Sequence, residues 1–294
     1  MADSENPKLR MAPRETAEEL LQRVEREQRA IDLQRESNLE SSLAPYRVGS
    51  VPYLNAVPLT RGLENEVQFV PPSRLAEMLR NNELDAALVS IVEVLFTDRY
   101  DVLDGIAIAS LGEVYSVFLA HKKPLDNIDI VHYDAASLTS VSLLKVLLAE
   151  RGLKPEFKPL PDLQTIDRLD YVLLIGNPGI DFRRGTHAHE IFDLGAAWYE
   201  LTQLPFVYAV WALQRKPDNQ RLRQQLREAK DFGVDTLDFL ISNRTEYDRE
   251  FRKDYLGWHI HYHLGTDEKR GIKKFVELLQ KHIGGEVREP RYVS

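Results

Sequence analysis

Residues 46–63, YRVGSVPYLNAVPLTRGL, run from a short β-type segment (46–51) through an Asn-Ala-Val-Pro turn into a brief helix. The same strand-then-helix logic repeats on either side of residue 121. Residues 67–70 read as a second strand, and Ser73 as the cap of a helix through Arg80 with Leu75, Met78 and Leu79 on its apolar face. Residues 86–89 form a continuous apolar strand, followed by a helix from Ile91 to about Phe96 and by strands at 106–110 and 115–121. Further on, strands are predicted at 128–133, 157–160, Tyr171–Ile175, 191–194 and 206–213. A strong helix begins at Ser137 or Leu138, turns Val141, Leu144, Leu147 and Leu148 inward and ends just before Gly152. After Pro217 the chain is helical and charged, at 218–230, 234–243 and 267–282. Alternation of this kind predicts an α/β fold with largely parallel sheets. Two lobes are expected, 46–121 with 206–294 and then 122–205, joined by crossing segments with a ligand cleft between them.

Residues 1–45 differ from this pattern. They form an N-terminal extension without aromatics until Tyr46, helix-like from Thr16 to about Glu36. Ala17, Leu20, Leu21, Val24 and Ile31 share one face, which Gln28 interrupts. Two readings stand: a solvated helix lying on the body, or a short coiled-coil or docking helix for a partner the sequence does not name.

The 294 residues include 43% apolar and 29% charged side chains, enough for a sizeable core. No run of about 18 apolar residues is present, and the first twenty residues lack a secretory h-region, so a cytoplasmic protein without membrane association is expected. Cysteine is absent, which excludes disulfides, thiolate metal sites and cysteine nucleophiles. A net charge of -8 speaks against nucleic-acid binding. No phosphate-binding loop, dinucleotide fingerprint, nucleophile elbow or zinc-protease helix occurs.

Two groups of polar residues stand out. His259, His261 and His263 alternate in WHIHYHLG (258–265) and on a strand would share a face. With no carboxylate forced beside them, packing is the reading taken, and no metal is expected. His187 and His189 sit with Arg183 and Arg184 in a polar loop read as surface. Ser50, Asn55, Ser90, Ser116, Ser137, Thr139 and Ser140 fall at strand ends and helix starts. Each has a local use as a cap or turn residue. Together they mark the place where α/β folds bind ligands, and helix N-termini there suit a small anion.

The stretch RVGSVPYLNAVPLTRGL (47–63) resembles the opening of the menaquinone-biosynthesis chorismate dehydratases of the futalosine pathway, where a strand ends in Gly-x-x-x-(Tyr/Phe)-Leu-Asn-x-x-Pro-Leu. The similarity continues in order through ELDAALVSIVEVL (83–95), SVFLAHKKPLDNI (116–128), SLTSVSLLKVLLAE (137–150), YVLLIGNP (171–178), DLGAAWYELTQLPFVYAVW (193–211) and YHLGTDEKRGIKKFVELL (262–279). It covers about residues 46–283. Leu138 stands where the family usually has Arg, and Asn177 where Asp is common.

The resemblance implies a type II periplasmic-binding-protein-like fold used for catalysis. It implies dehydration of chorismate to 3-[(1-carboxyvinyl)oxy]benzoate without metal or organic cofactor. Asn55 and Ser116 match the family's catalytic positions, Asn55 orienting either the enolpyruvyl carboxylate or the leaving hydroxyl. Ser50, Tyr53, Ser90, Ser137, Thr139, Ser140, Gly176 and Asn177 are the substrate-binding residues it suggests. The alternative is a cytoplasmic binding or sensing module for a small anionic carboxylate with the same fold.

Overall fold

A computed structural model of the chain describes residues 17–40, 42–134, 138–216 and 218–294. In chain order the first part contains α1 (Ala17–Leu39), β1 (Val48–Ser50), a 3-10 helix (Leu54–Leu59), β2 (Val67–Phe69), α2 (Pro72–Arg80), β3 (Ala86–Ser90), α3 (Ile91–Leu95) and β4 (Tyr100–Ser110). The middle part contains β5 (Val117–His121), β6 (Ile130–Tyr133), α4 (Leu138–Glu150), β7 (Glu156–Pro159), β8 (Tyr171–Ile175), α5 (Gly176–Arg184), β9 (Glu190–Asp193) and α6 (Leu194–Thr202). The last part contains β10 (Phe206–Gln214), α7 (Gln220–Asp235), α8 (Leu237–Asn243), α9 (Arg249–Asp254), a π-helical turn (Tyr255–His259), α10 (Thr266–His282) and β11 (Arg291–Val293).

One sheet is ordered β11-β4-β10-β3-β1-β2 and the other β7-β6-β8-β5-β9. Apart from β11 the two share one plan. Three parallel strands are followed by an antiparallel strand and then an edge strand antiparallel to it. The antiparallel strand is the one that enters by crossing between lobes: β5 in the second sheet and β10 in the first. This corrects the expectation that residues through 121 belong to the first lobe. Val117–His121 is buried along its whole length within the second sheet, so the first crossing lies at 111–116.

Both crossings are locked by named groups. The buried Asp193 carboxylate accepts the Val114 and Tyr115 N–H groups at 3.1 and 2.9 Å and caps α6 through the Ala196 N–H at 3.0 Å. A Cβ on Gly195 would sit 2.3 Å from the Gly112 carbonyl oxygen, so only glycine lets the crossing pack there. At the second crossing the Trp198 indole N–H donates to the Pro205 carbonyl at 3.1 Å, and its ring meets Phe206 and Phe275 edge-on. These rings tie α6, β10 and α10 together, each contributing about 2–3 kcal/mol of apolar burial.

Several local expectations change. Pro71, not Ser73, stands at the N-cap of α2, and Ser73 lies in its first turn. Pro72 follows at the first helical position, where a missing N–H costs nothing because the first-turn N–H groups have no helical partner. The 258–265 segment is not a strand. His259 closes the π-helical turn and contacts the Glu113 carbonyl through Nδ1 at 2.9 Å, while His261 makes a single bridge to Ala109 and stacks on His263. Among the described residues no three His, Cys, Asp or Glu groups are placed to hold a metal. His189, expected at the surface, is buried with Nε2 against the Leu169 carbonyl, because Phe182 and His187 cover it.

Along α1, Leu20, Leu21, Val24 and Ile31 are exposed. Its C-terminal end rests on the body: Arg35 pairs with Asp235 at 3.1 Å and lies over the Phe232 ring, and Leu39, with Leu43 just beyond the helix, is buried in the core. The extension expected at 1–45 therefore merges with the body from about Arg35 onward. Among the described residues no helix is long and apolar enough to cross a membrane.

Asp85 anchors the start of β3 to its neighbours. Burial opposes its ionisation, but the Arg47 side chain, Lys216 and the Arg47 N–H outweigh that and hold its pKa down at about 2. The folded-state pKa is depressed, so the stabilisation is present above the unfolded value near 4 and is lost as pH falls through 2. Asp85→Asn is expected to remove about 2 kcal/mol at pH 7 and little at pH 2, read from urea unfolding at both pH values. Equal losses at the two pH values would place the effect in packing.

Candidate active site

The site grows from four places where strands end or helices begin between the two sheets. After β1 the chain turns through Val51–Tyr53 into the short 3-10 helix, which buries Leu54, Ala56, Pro58 and Leu59 and leaves Asn55 on the cleft side. The ends of β3 and β8 supply Ser90 and Ile175–Gly176, and the first turn of α4 supplies Leu138, Thr139 and Ser140. From β10 come Tyr208 and Ala209. The cleft contains about 620 Å³ of empty space, counting the part open to solvent.

Of the residues expected at the site, Tyr53, Asn55, Ser90, Thr139, Ser140 and Gly176 line this cleft. Ser137 lies outside the described residues. Ser50 does not line the cleft; it is fully buried behind it, and its hydroxyl has no hydrogen-bond partner. Ser116 is also fully buried and off the lining, because its hydroxyl is turned to the Tyr255 phenol at 2.7 Å. Asn177 has a different task from the one expected. Its side-chain oxygen accepts the Leu54 N–H at 3.2 Å, linking α5 of one lobe to the Asn55-bearing turn of the other.

A second link lies on the opposite wall. The Ser90 and Thr139 hydroxyls are hydrogen-bonded to each other, and Thr139 also donates to the Tyr208 carbonyl at 3.2 Å. Ser90 and Tyr208 belong to the first sheet and Thr139 to α4, so this chain clasps the lobes. Gly176 adds a third close approach. Its φ of +59° is the left-handed conformation that favours glycine, and a Cβ there would meet the Tyr53 ring at 3.1 Å.

Electrostatically the cleft is neutral. Among the described residues its lining has no Asp, Glu, Lys, Arg or His. Its titratable groups are two phenols. Burial, and then the negative charge of Asp134, push Tyr53 up to about 12. Burial pushes Tyr208 well above the usual phenol value, with Asp193 adding to it. Both stay protonated near neutrality. Leu138, 41% exposed at the start of α4, brings no guanidinium. Anion-binding capacity therefore resides in hydroxyls and in the first-turn N–H groups of a 13-residue helix. The Asn55 side-chain oxygen is buried and has no partner.

Sequence reasoning missed Tyr208 and Tyr255. Tyr208 stood inside the quoted 193–211 stretch, but its strand is buried along nearly its whole length, so no alternation marked which side chains face the cleft. Tyr255 gave no local signal, being remote in sequence from both groups it joins.

A sequence family described as menaquinone biosynthesis matches residues 46–281. The chorismate dehydratase of Thermus thermophilus is 34% identical, with 81% of this chain and 96% of that protein covered. The chorismate dehydratase of Campylobacter jejuni is 26% identical over 76% of this chain and 89% of its own. Among solved structures, protein AF1704 from Archaeoglobus fulgidus superposes with a TM-score of 0.64 at 19% identity, covering 80% of this chain and 97% of that one. The periplasmic aliphatic sulphonate binding protein SsuA of Escherichia coli gives 0.55 at 14% identity, covering 85% and 93%. These two share the binding-protein-like fold.

Proposed function

The chain belongs to the menaquinone-biosynthesis family, and on that premise we propose that it is a chorismate dehydratase, a hydro-lyase that converts chorismate to 3-[(1-carboxyvinyl)oxy]benzoate and water. The near full-length likeness to the Thermus enzyme carries the proposal. The cleft supports it, since a neutral lining with a helix N-terminus and hydroxyls suits a dianion that needs orientation more than chemistry.

The reaction removes the proton from the ring carbon that bears the enolpyruvyl ether. The resulting charge delocalises through the ring double bonds into the ring carboxylate, and the neighbouring hydroxyl takes the abstracted proton back from the base and leaves as water, making the ring aromatic. That aromaticity supplies the driving force, so the protein has mainly to orient the substrate and stabilise developing charge. Among the described residues the lining offers no side chain that titrates near neutrality, which favours the substrate's own side-chain carboxylate as the base. The N–H groups and Ser140 at the start of α4 are proposed to hold a carboxylate, while Asn55 orients the reacting end.

Chorismate incubated with the purified protein in chelator-containing, cofactor-free buffer tests this. Appearance of the aromatic product by absorbance, with a mass lower by one water, is the expected outcome. Saturable binding with unchanged chorismate would instead support a non-catalytic binding module.

A further inference from the structure

Asn55 and Ser116 sit in separate elements, one in the 3-10 helix of the first lobe and the other in the first crossing. The phenol of Tyr255 joins them. It is fully buried in the π-helical turn, its ring stacks on Phe251 at 5.5 Å, and Tyr115 stands edge-on to it at 6.5 Å. The hydroxyl donates to Ser116 Oγ at 2.7 Å; burial raises its pKa, and the Ser116 and Asn55 side chains that face it from the two elements partly offset that rise.

A phenol has one hydrogen, and this one is committed to Ser116. Toward Asn55 the phenol oxygen can only accept, so the Asn55 amide nitrogen must be its donor. The Asn55 side-chain oxygen is then the atom left over, and it is the atom found buried without a partner. A buried carbonyl oxygen in this state calls for a donor. Chorismate near neutrality carries two carboxylates and an ether, none of which donates, and a single hydroxyl, which does.

We infer that Tyr255 is a positioning residue that fixes the Asn55 carboxamide with its oxygen toward the substrate's leaving hydroxyl. The inference rests on the proposed dehydration and chooses between the two roles that the family resemblance left open for Asn55. Ser116 then acts through Tyr255, without touching the substrate: it takes the phenol hydrogen and so sets the direction of the amide.

Tyr255→Phe keeps the stacked ring and removes the hydroxyl. It is expected to lower kcat about ten- to hundredfold with KM within about twofold, since an acceptor on the hydroxyl hydrogen matters most as that hydroxyl takes up a proton and departs as water. In an Asn55→Ala background the same change is expected to alter kcat by less than about twofold, because the group being positioned is gone. Ser116→Ala should show the same dependence on Asn55, and it serves as the test if Tyr255→Phe does not fold. Losses that multiply, the variants reducing kcat equally with or without Asn55, would overturn the inference and leave Tyr255 a packing residue. Wild-type turnover of chorismate in the same assay separates that result from failure of the proposed function, which would remove both.

Discussion

Asn55→Asp is expected to lower kcat for chorismate by about a thousandfold or more, and Asn55→Ala by about ten- to hundredfold. Alanine removes one hydrogen bond at the reacting end. Aspartate keeps an acceptor but places a negative charge in a cleft whose described lining contains no cation to offset it. The incoming substrate is a dianion, and repulsion inside a desolvated cleft is weakly screened. Aspartate also brings no N–H to face the Tyr255 oxygen, which invites the phenol to turn from Ser116. A helix-capping role would predict the reverse order, since Asp caps as well as Asn. The structure places Tyr53 at the N-cap and Asn55 inside the 3-10 helix, where that role is closed to it. Melting temperature and kcat measured on both variants decide the matter. An active Asp variant beside an unstable Ala variant would show that Asn55 serves the fold and not the reaction.

Gly233→Ala is expected to cost about 3 kcal/mol of stability, with kcat falling about a hundredfold in the protein that still folds. Gly233 lies in α7, against the 3-10 helix that carries Asn55. A Cβ there would sit 1.9 Å from the Pro58 carbonyl oxygen and 2.6 Å from its carbon, both backbone atoms that cannot swing aside. Alanine favours a helix interior over glycine by about 1 kcal/mol, which is too little to offset such a clash. The 3-10 helix must therefore shift, taking Asn55 with it and straining the Leu54 link to Asn177. Gly257→Ala is the control, because nothing lies within 4 Å of its added carbon. Urea midpoints and kcat for the two variants check the expectation. Wild-type values in Gly233→Ala would mean that the packing of α7 does not set the site.

The parts of this molecule that the sequence announced are those built from local signals. Strand β8 begins and ends where its apolar run does, and α4 ends just before Gly152, whose φ is +78°. Polar residues at the ends of strands pointed to the cleft because a β-to-α turn exposes its side chains there. What was not legible depends on distant partners. Strand β4 begins at Tyr100, not Ile106, since Asp101, Asp104 and Gly105 disguise its first half. Asp101 is buried in that strand only because Arg291 and Arg215 reach it from elsewhere. Strand β11 is three residues long and forms by pairing with β4. Ser116 and Asn177 were expected as a catalytic and a substrate-binding residue, but their side chains are engaged by Tyr255 and Leu54, which no spacing rule connects to them.

The pH dependence of kcat with chorismate tests the central claim most directly, since it asks whether a neutral cleft performs the elimination without a titrating side chain. Tyr53 ionises only near 12, and the substrate carboxylate proposed as the base is ionised above about pH 5. The aromatic product is predicted to form with a kcat that is flat from about pH 6 to pH 9. A bell-shaped profile centred near neutrality would show an enzyme acid and base at work and contradict the account.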